Sequence, residues 1–180
     1  MMKVGLFGGS FNPPHQGHIH ISKLAVQKLG LNQIWWIPTA HNPFKEKGIY
    51  ESYEIRCEKC EKISANHPKI RIKKFDEIRT EKLVKMLQKK YPDHQFFWIA
   101  GADNLERLHE WDNFRGLIKM LPLAIFSREH FLPRISKTKA FQIYKKLVAS
   151  KKALPQFKIF PTKNLNISST EIRKNAKLHS

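Results

Sequence analysis

Residues 4–29 constrain this chain more than any other stretch. Val4, Leu6 and Phe7 form a short apolar run able to enter a sheet, and an apolar-periodic segment at 19–29 predicts a helix. Between them Gly8 and Gly9 let the backbone pass close to a ligand, Pro13 and Pro14 forbid helix, and His15 and His18 flank Gly17. A helix that begins at this junction offers free N-terminal amides to an anion. The junction therefore reads as a phosphate site on which two imidazoles, a glycine-bearing loop and a helix start converge.

Between Lys3 and Lys23 no residue carries a formal charge, but glycines, prolines, Asn12, Gln16 and histidines interrupt the run, so it cannot span a bilayer. Its apolar part is only a few residues long and no small-residue cleavage site follows, so it does not read as a signal peptide and the cytoplasm is the expected compartment. With 180 residues, 41% of them hydrophobic, the chain suits one globular domain over 1–180 rather than a disordered polyelectrolyte. No internal repeat, low-complexity linker or step in composition marks a second domain.

The formal charge of +18, from 33 basic against 15 acidic residues, invites a nucleic-acid partner. The lysines are scattered over every segment, however, and no aromatic and basic motif of the single-strand binding kind appears. A generally basic surface is expected, and nucleic acid is not the expected partner. Cys57 and Cys60 stand in C-x-x-C spacing within an expected helix. A structural zinc site wants four ligands and a redox pair normally sits at a strand-to-helix junction, so two reduced thiols are expected there.

Further along, 33–38 reads as a buried strand stopped by Pro38, and the loop after it carries His41 and Lys45, which could face a ligand beyond the strand ends. A helix over 51–65, a strand at 70–72 with Ile72 inward and Arg71 outward, and a helix over 80–90 with Leu83, Val84 and Leu87 on one face follow. The clearest strand, 95–100, runs straight into Gly101 and Asp103. Gly101 permits close backbone approach, while Asp103 suits a ribose diol or a metal, or caps the following helix. Leu105, Leu108, Trp111 and Phe114 then recur every third residue, which leaves Trp111 half in the core and half available for stacking.

A short helix at 115–121, a buried strand at 122–127, a lysine-rich amphipathic helix at 136–151 and a sixth strand at 157–160 complete the alternation. Near the end, Ser168 and Glu171 have the spacing of a capping box, with Arg173 one turn on. This is either a second anion-binding helix start or an ordinary capped terminal helix. The repeated strand-to-helix order gives an α/β fold, a three-layer sandwich with a mainly parallel sheet. Neither G-x-G-x-x-G nor G-K-[ST] occurs, so neither the dinucleotide fingerprint nor the P-loop fits.

The run from Gly8 to His18 resembles the H-x-G-H signature of the nucleotidyltransferase α/β-phosphodiesterase superfamily, and that from Ile167 to Arg173 resembles its C-terminal signature. Between them, His41 to Lys45, Arg56, and Gly101 to Leu105 with Trp111 resemble the landmarks of bacterial nicotinate mononucleotide adenylyltransferases. The resemblance spans residues 3–173 and implies a Rossmann-like nucleotidyltransferase sheet. It also implies adenylyl transfer from ATP to nicotinate mononucleotide, giving deamido-NAD and diphosphate, with Mg2+ held by the phosphates rather than by protein ligands. His15 and His18 would be the catalytic pair.

By the same resemblance Gly8, Gly9, Ser10, Phe11 and Gly17 would contact ATP. Ile167, Ser168, Ser169, Thr170 and Arg173 would serve its phosphates, and Gly101 and Asp103 its ribose. Asn12, Lys45 and Thr80 would contact the mononucleotide, and Trp111 would stack on its ring. One departure bears on the acceptor: the family's Ser-Tyr-Thr stretch has no counterpart in Phe75 to Glu81, where Thr80 stands nearest. Nicotinamide mononucleotide and phosphopantetheine therefore stay open as acceptors, as does a weakly active nucleotide- or RNA-binding relative. The oligomeric state, a homodimer included, is not fixed by the sequence.

Overall fold

A computed structural model describes residues 1–39, 51–75, 79–111, 113–128, 131–149, 157–162 and 167–178. Six strands form one sheet: β1 (Met2–Gly9), β2 (Gln33–Pro38), β3 (Ile70–Ile72), β4 (His94–Gly101), β5 (Leu123–Arg128) and β6 (Phe157–Thr162). Between them lie α1 (Gln16–Leu29), α2 (Tyr53–Ser64), α3 (Thr80–Lys90), the short α4 (Ala102–Leu105), α5 (Phe114–Met120), α6 (Leu132–Ile135) and α7 (Lys139–Ala149), and α8 (Ser169–Leu178) follows the last strand.

Every strand pair is parallel, and the order is β3-β2-β1-β4-β5-β6. A parallel sheet is covered on both faces, so its central strands must be apolar on both sides. The residues obey this with strict alternation. Val4, Leu6, Trp35, Ile37, Phe96, Trp98, Leu123 and Ile125 enter one core together with Leu83, Val84 and Leu87 of α3 and Phe114, Leu117 and Ile118 of α5. Phe7, Ile34, Trp36, Ile99, Ala124 and Phe126 enter the other, against Ile19 and Ala25 of α1 and Cys60 of α2. The expected three-layer α/β sandwich is the observed one, and its sheet is parallel throughout.

Three helix boundaries have local causes. α1 begins three residues before the apolar periodicity does, because His15 caps it, and it ends at Gly30, whose left-handed φ of 62° suits a residue without Cβ. α2 begins when Ser52 accepts the Ile55 amide at 3.3 Å.

The strand order reverses direction between β1 and β4, the first strand lying between the second and the fourth. At such a switch point the two crossovers leave to opposite faces and open a crevice beyond the carboxyl ends of the strands. Gly8 and Gly9 end β1 on one side of it and Gly101 ends β4 on the other. Among the described residues no helix is long and apolar enough to cross a membrane.

Candidate active site

The loop leaving β1 is tied down on all sides. The Thr39 amide, just past β2, donates to the Gly9 carbonyl at 2.9 Å. Arg56 of α2, only 2% exposed, donates to the Ser10 carbonyl at 2.6 Å. Asn12, also buried, accepts the Glu51 amide on its side-chain oxygen at 3.2 Å. Between these anchors Phe11 adopts a φ of 45° while 1% exposed, an uncommon conformation for a bulky residue. Strain of about 1–3 kcal/mol of this kind persists only where surrounding contacts over-determine it. Here the Phe11 ring stacks on Trp36 with centroids 4.9 Å apart and lies 4.8 Å from the His18 ring.

His15 and His18 each accept a main-chain amide on the ring. The Gly17 amide donates to His15 Nδ1 at 3.1 Å, and the His15 amide donates to His18 Nδ1 at 3.1 Å. The pair forms a capping box at the start of α1 in which histidines occupy both side-chain positions. Each Nδ1 spends its lone pair on an amide, so each neutral ring carries its proton on Nε2. His18 packs among Phe7, Phe11, Trp36 and His15, and burial, with the neighbouring His15 adding to it, pushes its pKa down from 6.5 to about 3. His18 is therefore a neutral hydrogen-bond donor at physiological pH.

The last helix closes on the same loop. Ser169 Oγ donates to the Pro13 carbonyl at 2.9 Å, and the Arg173 guanidinium donates to the Asn12 carbonyl and, at 3.3 Å, to Thr170 Oγ1. One half of the expected capping box is present, since Ser168 Oγ accepts the Glu171 amide at 3.2 Å, while the Glu171 carboxylate takes the Ser168 hydroxyl at 2.9 Å. Ile167 reaches Gly17, where an added Cβ would lie 3.6 Å from its Cγ2. Residues from the two ends of the chain thus share one edge of the sheet, and Ser169 and Arg173 spend at least part of their donor capacity on holding the first loop in place.

Gly101 caps α4, and Asp103 lies inside that helix rather than capping it. Trp111 follows a 3₁₀ turn, Leu108–Glu110, and is partly buried, with its ring perpendicular to Trp98 at 5.7 Å. Trp98 also explains Gly8, since a Cβ there would come within 2.9 Å of the indole Cζ2 and Cη2. Thr80 is the first residue of α3, which follows the end of β3, so it lies at the same edge of the sheet. Lys45, with His41 to Phe44, lies outside the described residues.

One supporting side chain escaped the sequence reading, and another, Arg56, was named there by resemblance alone, with no role assigned; its burial and three carbonyl partners supply that role. Ser22 is fully buried, accepting Trp36 Nε1 at 2.8 Å and donating to the His18 carbonyl at 2.8 Å, so it links the second core to the histidine helix. Its one signal was a serine four residues after His18. Cys57 and Cys60 are both buried and unpaired as a disulfide, and burial pushes the Cys60 thiol up to about 12. Such a thiol is neither a ready nucleophile nor a poised metal ligand. Among the described residues no three His, Cys, Asp or Glu side chains gather as a metal site.

The described polar groups at this edge are mostly donors: imidazole Nε2–H groups, hydroxyls, a guanidinium and two helix starts. That is chemistry for an anion. Over residues 6–175 the chain matches the cytidylyltransferase-like family. It is 35% identical to a probable nicotinate-nucleotide adenylyltransferase of Agrobacterium fabrum, covering 98% of this chain and 100% of that one. It is 34% identical to one so named from a Ruegeria species, covering 96% and 97%. The fold resembles the Plasmodium falciparum nicotinic acid mononucleotide adenylyltransferase complexed with NaAD, with a TM-score of 0.74 at 20% identity over 97% of this chain and 83% of that one. The chain belongs to the cytidylyltransferase-like family, among relatives named as nicotinate-nucleotide adenylyltransferases.

Proposed function

We propose that this chain transfers the adenylyl group of ATP to nicotinate mononucleotide, forming deamido-NAD and diphosphate. The observation that carries the reading is the paired imidazole cap at the switch point, in which each Nδ1 accepts a main-chain amide, so that Nε2 is the atom each ring would offer to an anion. One oxygen of the mononucleotide phosphate attacks the α-phosphorus. The bond from that phosphorus to the oxygen bridging to the β-phosphate breaks, and its electron pair leaves with diphosphate. No protein nucleophile is needed, so catalysis rests on alignment and on stabilising charge on the α-phosphate.

His15 and His18 fill that role through Nε2–H. Gly8, Gly9, Ser10, Phe11 and Gly17 bring the loop and the α1 amides to the same phosphate. Thr170, Ser168 and the α8 amides, with Ile167 beside Gly17, would receive the β- and γ-phosphates. Arg173 has five donors, so its bond to Asn12 leaves capacity for a phosphate oxygen. In this reading Gly101 and Asp103 would serve the adenosine ribose, Trp111 would stack on the nicotinate ring, and Asn12, Lys45 and Thr80 would contact the mononucleotide.

The donor-rich edge suits phosphates that carry their own cation, and Mg2+ bound there would neutralise charge on the departing diphosphate. ATP as co-substrate makes the cytoplasm the proposed compartment. The test offers purified protein ATP, Mg2+ and, in separate reactions, nicotinate mononucleotide, nicotinamide mononucleotide and phosphopantetheine while diphosphate is measured. Preferential turnover with nicotinate mononucleotide is expected. Turnover with phosphopantetheine alone would overturn the assignment.

A further inference from the structure

Arg56 is a buried guanidinium whose partners belong to three separate segments. Nη1 donates to the Ser10 carbonyl at 2.6 Å, Nη2 to the Thr39 carbonyl at 2.9 Å and Nε to the Glu51 carbonyl at 3.1 Å. Its ring-side contact is Tyr53, with the guanidinium carbon 5.6 Å from the ring centroid. Three carbonyls at fixed angles match the planar fork of arginine and not the single point charge of lysine. A buried cation costs free energy that only such hydrogen bonding offsets.

The consequence lies in the loop. Ser10 C=O points at Arg56, and in a planar trans peptide the Phe11 N–H must point the opposite way. Two residues on, the Asn12 carbonyl is held by Arg173. The left-handed Phe11 is therefore bracketed by two arginines, one on each flanking carbonyl. Thr39 and Glu51 are tied to the same loop a second time, through Thr39 N–H on Gly9 and Glu51 N–H on Asn12 Oδ1.

We infer that Arg56 is a positioning residue for adenylyl transfer: it touches no substrate, and it fixes the orientation of the Ser10–Phe11 peptide in the loop that receives phosphate. This rests on the phosphate-site reading proposed above. Removing Arg56 would let that peptide rotate and would lower turnover with both substrates still able to bind.

The experiment compares wild type, Arg56→Ala, Arg56→Lys and His18→Ala by kcat, by KM for each substrate and by thermal melting. For both Arg56 variants a fall in kcat of about 100-fold, with each KM changed by less than about threefold, is expected. Methylguanidinium in the tens of millimolar should restore Arg56→Ala by about tenfold or more, while methylammonium, equal in charge but without the fork, should not. Near wild-type kcat in either folded variant, equal rescue by both cations, or loss of the folded state in both variants would overturn the inference. If His18→Ala is inactive while the Arg56 variants turn over normally, only this inference fails. If wild type itself does not turn over ATP with any mononucleotide, the functional reading fails instead.

Discussion

The rings of His15 and His18 lie 3.9 Å apart, centroid to centroid, and each accepts a main-chain amide through Nδ1. Two imidazoles this close, tilted by 46°, cannot both be charged without cost. With its pKa pushed down to about 3, His18 serves as a fixed neutral donor rather than as an acid or base that titrates during turnover.

A pH dependence of stability follows. The folded pKa of His18, about 3, lies below its ordinary 6.5, so in the interval between them the unfolded chain binds a proton that the folded chain does not. Stability contributed by neutral His18 is complete above about 6.5 and is lost progressively as pH falls toward about 3. Nitrogen-15 spectra of the imidazoles should show Nε2–H tautomers and no titration of His18 down to about pH 5, with urea midpoints falling over the same range. A His18 titration near 6.5 would contradict the described packing.

Replacing either imidazole removes one donor from the transition state. His18→Ala should lower kcat by about 10²–10³, the usual cost of one such donor, with circular dichroism unchanged. His15→Ala should do the same and also lose about 0.5–2 kcal/mol of stability, because it deletes the cap of α1.

Gly8 is required for space. Gly8→Ala forces a Cβ to 2.9 Å from Trp98 Cζ2 and Cη2, so a loss of about 1–3 kcal/mol is expected in denaturant titrations. Trp98→Phe removes those two atoms and should recover part of that loss in the double variant. Additive losses would place the conflict elsewhere.

Trp111→Ala tests the stacking role. With Trp98 holding the ring edge-on at 5.7 Å, its loss should raise KM for the mononucleotide by about tenfold and leave KM for ATP nearly unchanged, as loss of one stacked base contact would. Equal changes in both constants would remove Trp111 from the acceptor side.

Much of this was legible in the chain itself. The apolar runs of Val4, Leu6 and Phe7 and of Ile34 to Ile37 predict buried strands, and Gly8 to His18 marks the ligand edge because glycines, prolines and two histidines interrupt the apolar pattern between a strand and a helix. The cap that Ser168 places on the Glu171 amide is a local pattern and was equally readable. What the sequence hid is non-local. Arg56 meets Ser10 across 46 positions and Arg173 meets Asn12 across 161, and neither arginine differs in type from the many solvated ones. The His15–His18 cap escaped for another reason: histidine is an uncommon capping residue, so the helix start was expected at the apolar periodicity.

The central claim, direct attack on the α-phosphorus without a protein nucleophile, is tested by the configuration of that atom. Transfer from ATP carrying a chiral α-phosphorothioate to nicotinate mononucleotide should give a dinucleotide with inverted configuration at phosphorus. Retention, or an adenylyl group trapped on His15 or His18, would show two successive displacements and contradict the account.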